Sequence, residues 1–171
     1  MRQAGERKNR RVQIAAYHEA GHAVMAVLTR TPLRDTTIVA SLLGASSGAT
    51  RLIANGRVSK KFAERVKLGP RELRQVLRRA CFDVAGEMAA RRFARRSWRT
   101  LHSRSDLANI SRLLDSLGLS EARLNALAEA IVAEADSLIA ANWPRVEAVA
   151  AELLKRGTLS GAQVRHIVAM N

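Results

Sequence analysis

The sequence predicts a mainly α-helical protein with one small β element in its first third. Apolar residues recur at helical spacing through most of the chain. They make up 47% of it while aromatics reach only 4%, which suits an interior of Ala, Leu and Val. β-Branched residues bounded by Gly and Ser gather only between positions 36 and 55, where they read as two short strands and a loop. The 171 residues suffice for one domain with a real core.

Residues 1–8 are basic and read as a disordered arm, followed by a single domain over 9–171. Asn9 is placed to cap a helix over 9–29, with Val12, Ala16, Ala20, Ala23 and Val27 on one face, and Pro32 ends it. "TTIVAS" (36–41) and "TRLIAN" (50–55) are the expected strands. Pro70 opens a helix over 70–93, at a position where its missing N–H costs nothing. Its apolar stripe is Leu73, Val76, Leu77, Ala80, Val84 and Met88, with Cys81 on the same face. A helix over 105–117 turns Leu107, Ile110, Leu113, Leu114 and Leu117 inward and stops at Gly118. Three more follow: 120–141 capped by Ser120, 143–156 opened by Asn142 and Pro144 and closed by Gly157, and 160–169 opened by Ser160.

Net charge is +14 and unevenly placed. Seven basic against three acidic residues give +4 over 1–50, sixteen against four give +12 over 51–105, and six against eight give −2 over 106–171. The middle third is a concentrated positive field, able to draw nucleic acid, anionic lipid or acidic protein segments. No apolar run approaches the roughly 20 residues that cross a bilayer. The basic start has no apolar segment behind it to form a signal peptide. A single cysteine excludes an internal disulfide and suits a reducing compartment, so the cytoplasm is the expected location.

Chemistry concentrates in "AAYHEAGHAVM", residues 15–25. His18 and His22, four apart on a helix, lie on one face and can hold one metal ion. Glu19, about a hundred degrees round the helix, can reach a water without ligating the metal. Zinc held by three protein groups keeps a position open, and a nearby carboxylate can serve as general base. Ala20 and Gly21 let another element approach the helix closely. A third ligand must come from elsewhere: His102, Asp106, Asp83, Glu87 and His166 are the candidates. Asp106 also fits a capping box with Ser103 as cap.

"AYHEAGHAV" resembles the peptidase domain of FtsH-type zinc proteases, the membrane-anchored AAA+ proteases of bacteria and organelles. Further segments agree in order. "RDTTIVASLLGASSGATRL" resembles their short β segment. "SRSDLANISRLL" resembles their "SNDL…AT" helix, which supplies an aspartate ligand, and "SLGLS" resembles their "YGMS" turn. "EADSLIAANWPRVEAVAAELLKRGTLSGAQVRHI" resembles their closing helices and "TL.G.E" ending. The likeness runs from residue 14 to 168. It implies a helical zincin-like peptidase domain with a C-terminal helical bundle, Zn2+ on His18, His22 and Asp106, and Glu19 as the base. The chain departs from the family in lacking a Walker A pattern and a transmembrane anchor, and in the loop-rich stretch after "SLGLS". Ala90 and Arg91 stand where the family tends to be acidic.

The resulting expectation is a zinc metalloendopeptidase acting on peptides or unfolded segments, fed where necessary by a separate ATPase or unfoldase. "TTIVAS" or "TRLIAN" would offer a sheet edge to the substrate strand. The family's rings raise homo-oligomerisation, and the basic middle an acidic partner. Two other functions fit the same residues. One is a catalytically silent adaptor or regulator of this fold. The other is a basic helical protein binding nucleic acid through 51–104, with Trp98 stacking on a base among Arg95, Arg96 and Arg99.

Overall fold

The computed structural model describes residues 2–43, 48–52, 70–95, 104–115 and 117–171, and at 2–8, 41–42, 70–74 and 104–108 it describes the backbone alone. It is mainly helical, with one small antiparallel sheet. Helix α1 (Arg2–Leu28) carries the histidine motif. It begins seven residues before the expected start, so the stretch that composition assigns to a disordered arm is helical from Arg2. "RQAGERKNRR" contains no proline, and its Glu6 precedes Arg10 by four, a spacing that supports a helix.

The end of α1 is a Schellman turn. Thr31 N–H donates to the Ala26 carbonyl at 2.7 Å and Arg30 N–H to the Val27 carbonyl at 3.1 Å. Arg30 occupies the left-handed region at φ 54°. That conformation crowds a Cβ and favours glycine.

Strand β1 (Leu33–Thr37) then leads into a short helical turn, α2 (Val39–Leu42), and strand β2 (Ala49–Leu52) follows. The expected strand over 36–41 therefore starts three residues early and stops at Thr37. There the Thr37 hydroxyl accepts the Val39 N–H at 3.2 Å, a local bond that turns the chain out of the ladder. Residues 53–55 of the second expected strand lie outside the described residues. A third strand, β3 (Thr158–Ser160), was not expected. The order is β2-β1-β3, with both pairings antiparallel, so β1 is central. Three residues are too few to show a period. β3 exists because Gly157, at φ 73°, closes a helix and delivers its carbonyl to Ile38 N–H at 2.8 Å.

The remaining helices are α3 (Pro70–Phe93), α4 (Arg104–Asp115), α5 (Glu121–Ala141), α6 (Trp143–Arg156) and α7 (Gly161–Met170). They match the expected spans to within two residues at each end. Ser120 takes the cap position of α5 in extended conformation but makes no side-chain cap bond. Ser160 forms a full capping box with Gln163. Cys81 is buried in the core, as its position on the apolar stripe predicts. Burial, and secondarily Glu134, pushes its thiol pKa up, which disfavours the nucleophilic thiolate.

Two contacts fix α1 on the rest. Tyr17 stacks on Phe93 of α3, centroids 3.9 Å apart, and on Trp143 of α6 at 5.5 Å. Arg10 lies over Phe93 and Arg92 over Trp143, closing the ladder with a cation at each end. Farther along, Gly21 meets α3 so closely that an added Cβ would lie 2.5 Å from the Ala85 carbonyl oxygen and 2.7 Å from the Ala89 Cβ. The order of these contacts, 17 with 93 and 21 with 85, makes the two helices antiparallel.

Gly21→Ala gains about 1 kcal/mol of helix propensity. Its methyl group still has to displace a backbone carbonyl, an overpacking cost of about 1–3 kcal/mol. The expected result is a lower urea midpoint at unchanged m value. Arg30→Gly relieves the left-handed residue and is expected to raise stability by about 1 kcal/mol in the same measurement.

Candidate metal centre

The motif helix presents its polar residues to two different neighbours. His18, Glu19 and His22 are 6, 4 and 4% exposed, so all three must find partners inside the protein. The imidazoles face α3 and the carboxylate faces β2.

On the α3 side, His22 Nδ1 donates to the Phe82 carbonyl oxygen at 2.7 Å. A carbonyl only accepts, so Nδ1 carries a proton, and Nε2 is the atom left to bind something else. That Nε2 lies 3.1 Å from Nε2 of His18, with the two rings nearly perpendicular. The Phe82 ring packs against His22 at a centroid distance of 5.0 Å. Gly86, one turn further along α3, completes the wall. A Cβ there would collide with His22 Nε2 and come within 2.8 Å of His18 Cε1. A glycine in mid-helix costs about 1 kcal/mol against alanine. Here it is required by the space the imidazoles occupy.

On the β2 side, the Thr50 hydroxyl donates to Glu19 Oε2 at 2.6 Å and lies 3.3 Å from the Glu19 carbonyl oxygen. Thr36, wholly buried and opposite Thr50 in the β1–β2 register, bonds the Thr50 hydroxyl at 2.8 Å. Gly48 lets the strand approach, since a Cβ there would lie 2.6 Å from Glu19 Cγ.

The separation of the two Nε2 atoms is one that a zinc ion could span. Two nitrogens on one tetrahedral zinc, each at 2.0–2.1 Å, are separated by about 3.3 Å. The observed 3.1 Å is close to that value. The carbonyl bond to the far nitrogen of His22 is the outer-shell contact that commonly orients a histidine ligand. Two of the expected ligands and the expected base thus share one helical turn. Asp106 lies in the first turn of α4, a helix that packs on α3, and its side chain is outside the described residues, as is His102. Among the described residues no third His, Cys, Asp or Glu side chain forms a metal-binding group with the pair. Asp83 is held by Arg79 at 3.0 Å, Glu87 lies 3.9 Å from Arg91, and His166 is exposed on α7. These three candidates are not brought to the histidines.

Sequence reasoning missed Phe82, Gly86, Thr36, Gly48 and Thr50. Only Gly86 left a signal, as an isolated glycine inside a strong helical pattern. The others act through a backbone carbonyl, a close approach or a common hydroxyl, none of which belongs to a motif. Gly86→Ala should push His22 aside while the protein stays helical. The expected outcome is a zinc affinity weakened at least about tenfold, read by competition with a chromophoric chelator alongside circular dichroism.

Compared with protein-family models and with curated proteins, the chain matches none of either.

Proposed function

We propose that this chain is a zinc-dependent metalloendopeptidase that hydrolyses peptide bonds, built like the proteolytic domain of FtsH-type proteases. The observation that carries this reading is the pair of imidazole Nε2 atoms 3.1 Å apart, one ring anchored by a main-chain carbonyl, with a buried carboxylate on the next residue. Asp106 is the proposed third ligand, by the resemblance of "SRSDLANISRLL" and by the packing of its helix on α3.

Zinc at this site would supply a Lewis acid that lowers the pKa of water to about 7. His18 and His22 would hold the ion, with the His22 ring oriented by its bond to the Phe82 carbonyl. Glu19 accepts the proton of the attacking water; its Oε2 is engaged by Thr50, which leaves Oε1 for that transfer. Of the two strands considered as a docking edge, β1 is central and so excluded. β2 pairs with β1 alone among the described residues, and its other edge is the proposed place for an extended substrate. Substrates would be peptides, flexible tails or unfolded segments. No helix among the described residues is long and apolar enough to cross a membrane. The single buried Cys81 fits the proposed cytoplasmic setting.

Purified protein is expected to hold about one zinc per chain, lost in His22→Ala. Glu19→Gln should keep the zinc and lower kcat on a casein or peptide-library substrate by about 10²–10⁴-fold. Equal hydrolysis by wild type and Glu19→Gln would remove the assigned base. Zinc binding without hydrolysis would favour a silent adaptor. Nucleic-acid binding that falls steeply with salt and survives both substitutions would point instead to the basic surface.

A further inference from the structure

We infer that Thr50 is a positioning residue: its hydroxyl, itself oriented by Thr36, holds the Glu19 carboxylate in its working direction. This rests on the peptidase reading above. A glutamate has three side-chain torsions, and a general base useful to catalysis has to be fixed in one of their combinations. The next two residues of the motif helix, Ala20 and Gly21, carry no side-chain hydrogen-bonding group that could do this. The fixing contact comes from 31 residues downstream, at 2.6 Å.

The direction of the chain of bonds follows from donor counting. An ionised carboxylate only accepts, so the Thr50 proton goes to Glu19 Oε2. Thr50 has one proton, so in its 2.8 Å bond with Thr36 it is the acceptor and Thr36 the donor. Thr36 is wholly buried and is paired across the sheet with Thr50, so its hydroxyl has a fixed origin. Both residues are β-branched and stiff at χ1, which makes the direction of each hydroxyl a property of the strand. Gly48 sets the distance, since any side chain there would strike Glu19 Cγ and Cδ. Two strands thus aim the carboxylate.

A purely structural role would need the same bond but would not discriminate between catalytic steps, and two measurements separate the possibilities. In chelator-treated protein, a double-mutant cycle of Thr50→Val and Glu19→Leu by urea unfolding should show a coupling of about tenfold in the unfolding constant. The Thr36→Val/Thr50→Val pair leaves no buried hydroxyl orphaned and controls for misfolding. In zinc-loaded protein, Thr50→Val should lower kcat for peptide cleavage at least about tenfold with KM nearly unchanged, and Thr50→Ser should return kcat to near the wild-type value. Absence of coupling, or a kcat for Thr50→Val equal to that of an active wild type, overturns the positioning role alone. A wild type that binds no zinc or cuts no peptide overturns the peptidase reading and the positioning role with it.

Discussion

The close approach of α1 to α3 is the constraint from which the rest of the structure follows. Gly21 admits the Ala85 carbonyl and the Ala89 methyl, and Gly86 admits the two imidazoles. Ala16, Ala20, Ala23, Ala85 and Ala89 are all buried between or beside them. With side chains this small, the backbones themselves come into range, and a main-chain carbonyl of one helix can receive a side chain of the other. That is how His22 reaches Phe82. Larger residues along the seam would hold the helices apart, and the histidine would lose the bond that orients it. The Tyr17, Phe93 and Trp143 stack works at one end of the same seam and ties α6 into it.

Burying two imidazoles and a carboxylate in one turn costs several kcal/mol unless each polar atom is satisfied. The fold divides the load between two neighbours. α3 packs on the histidines, with the Phe82 carbonyl taking His22, and Thr50 of the sheet takes the glutamate. Part of the protein's large positive charge is consumed in similar ways: Arg79 on Asp83 and Phe82, Arg51 on Asp35, Arg10 and Arg92 on aromatic faces. Arg91 and Arg95 remain exposed at the end of α3, while Trp98, Arg96 and Arg99 lie outside the described residues.

The helices were legible because their punctuation is local. Pro70, Pro144, Gly157 and Ser160 act within a few residues of themselves, and each does in the structure what its chemistry predicts. The sheet was only half legible. β1 and β3 are joined by pairs such as Thr37 with Thr158, whose hydroxyls meet at 2.7 Å across 121 positions, and no window of sequence contains both. The start of α1 is not legible from charge density, which reads as disorder, although Arg2, Glu6 and Arg10 alternate in sign at helical spacing. For the site, the histidines and Glu19 could be read because their relation is one of spacing on a single helix. What holds them could not, since a threonine hydroxyl and a peptide carbonyl are present everywhere in a sequence.

This difference bears on how far a short motif can be trusted. The spacing of His18 and His22 guarantees a shared face in any helix, with or without a metal. It does not guarantee that the two Nε2 atoms turn toward each other, nor that the far nitrogen of one finds a carbonyl. Those depend on Gly86 and on the depth at which α3 sits, and an alanine at 86 would leave the motif intact in sequence while filling the space it needs. The same holds for Glu19, whose position in the motif is constant but whose direction is set by β2. A buried pair of histidines kept only for packing could be replaced by apolar residues without this apparatus of glycines and hydroxyls. The supporting residues, more than the five-residue pattern, are therefore what supports the proposal that this turn of helix serves a metal and a base.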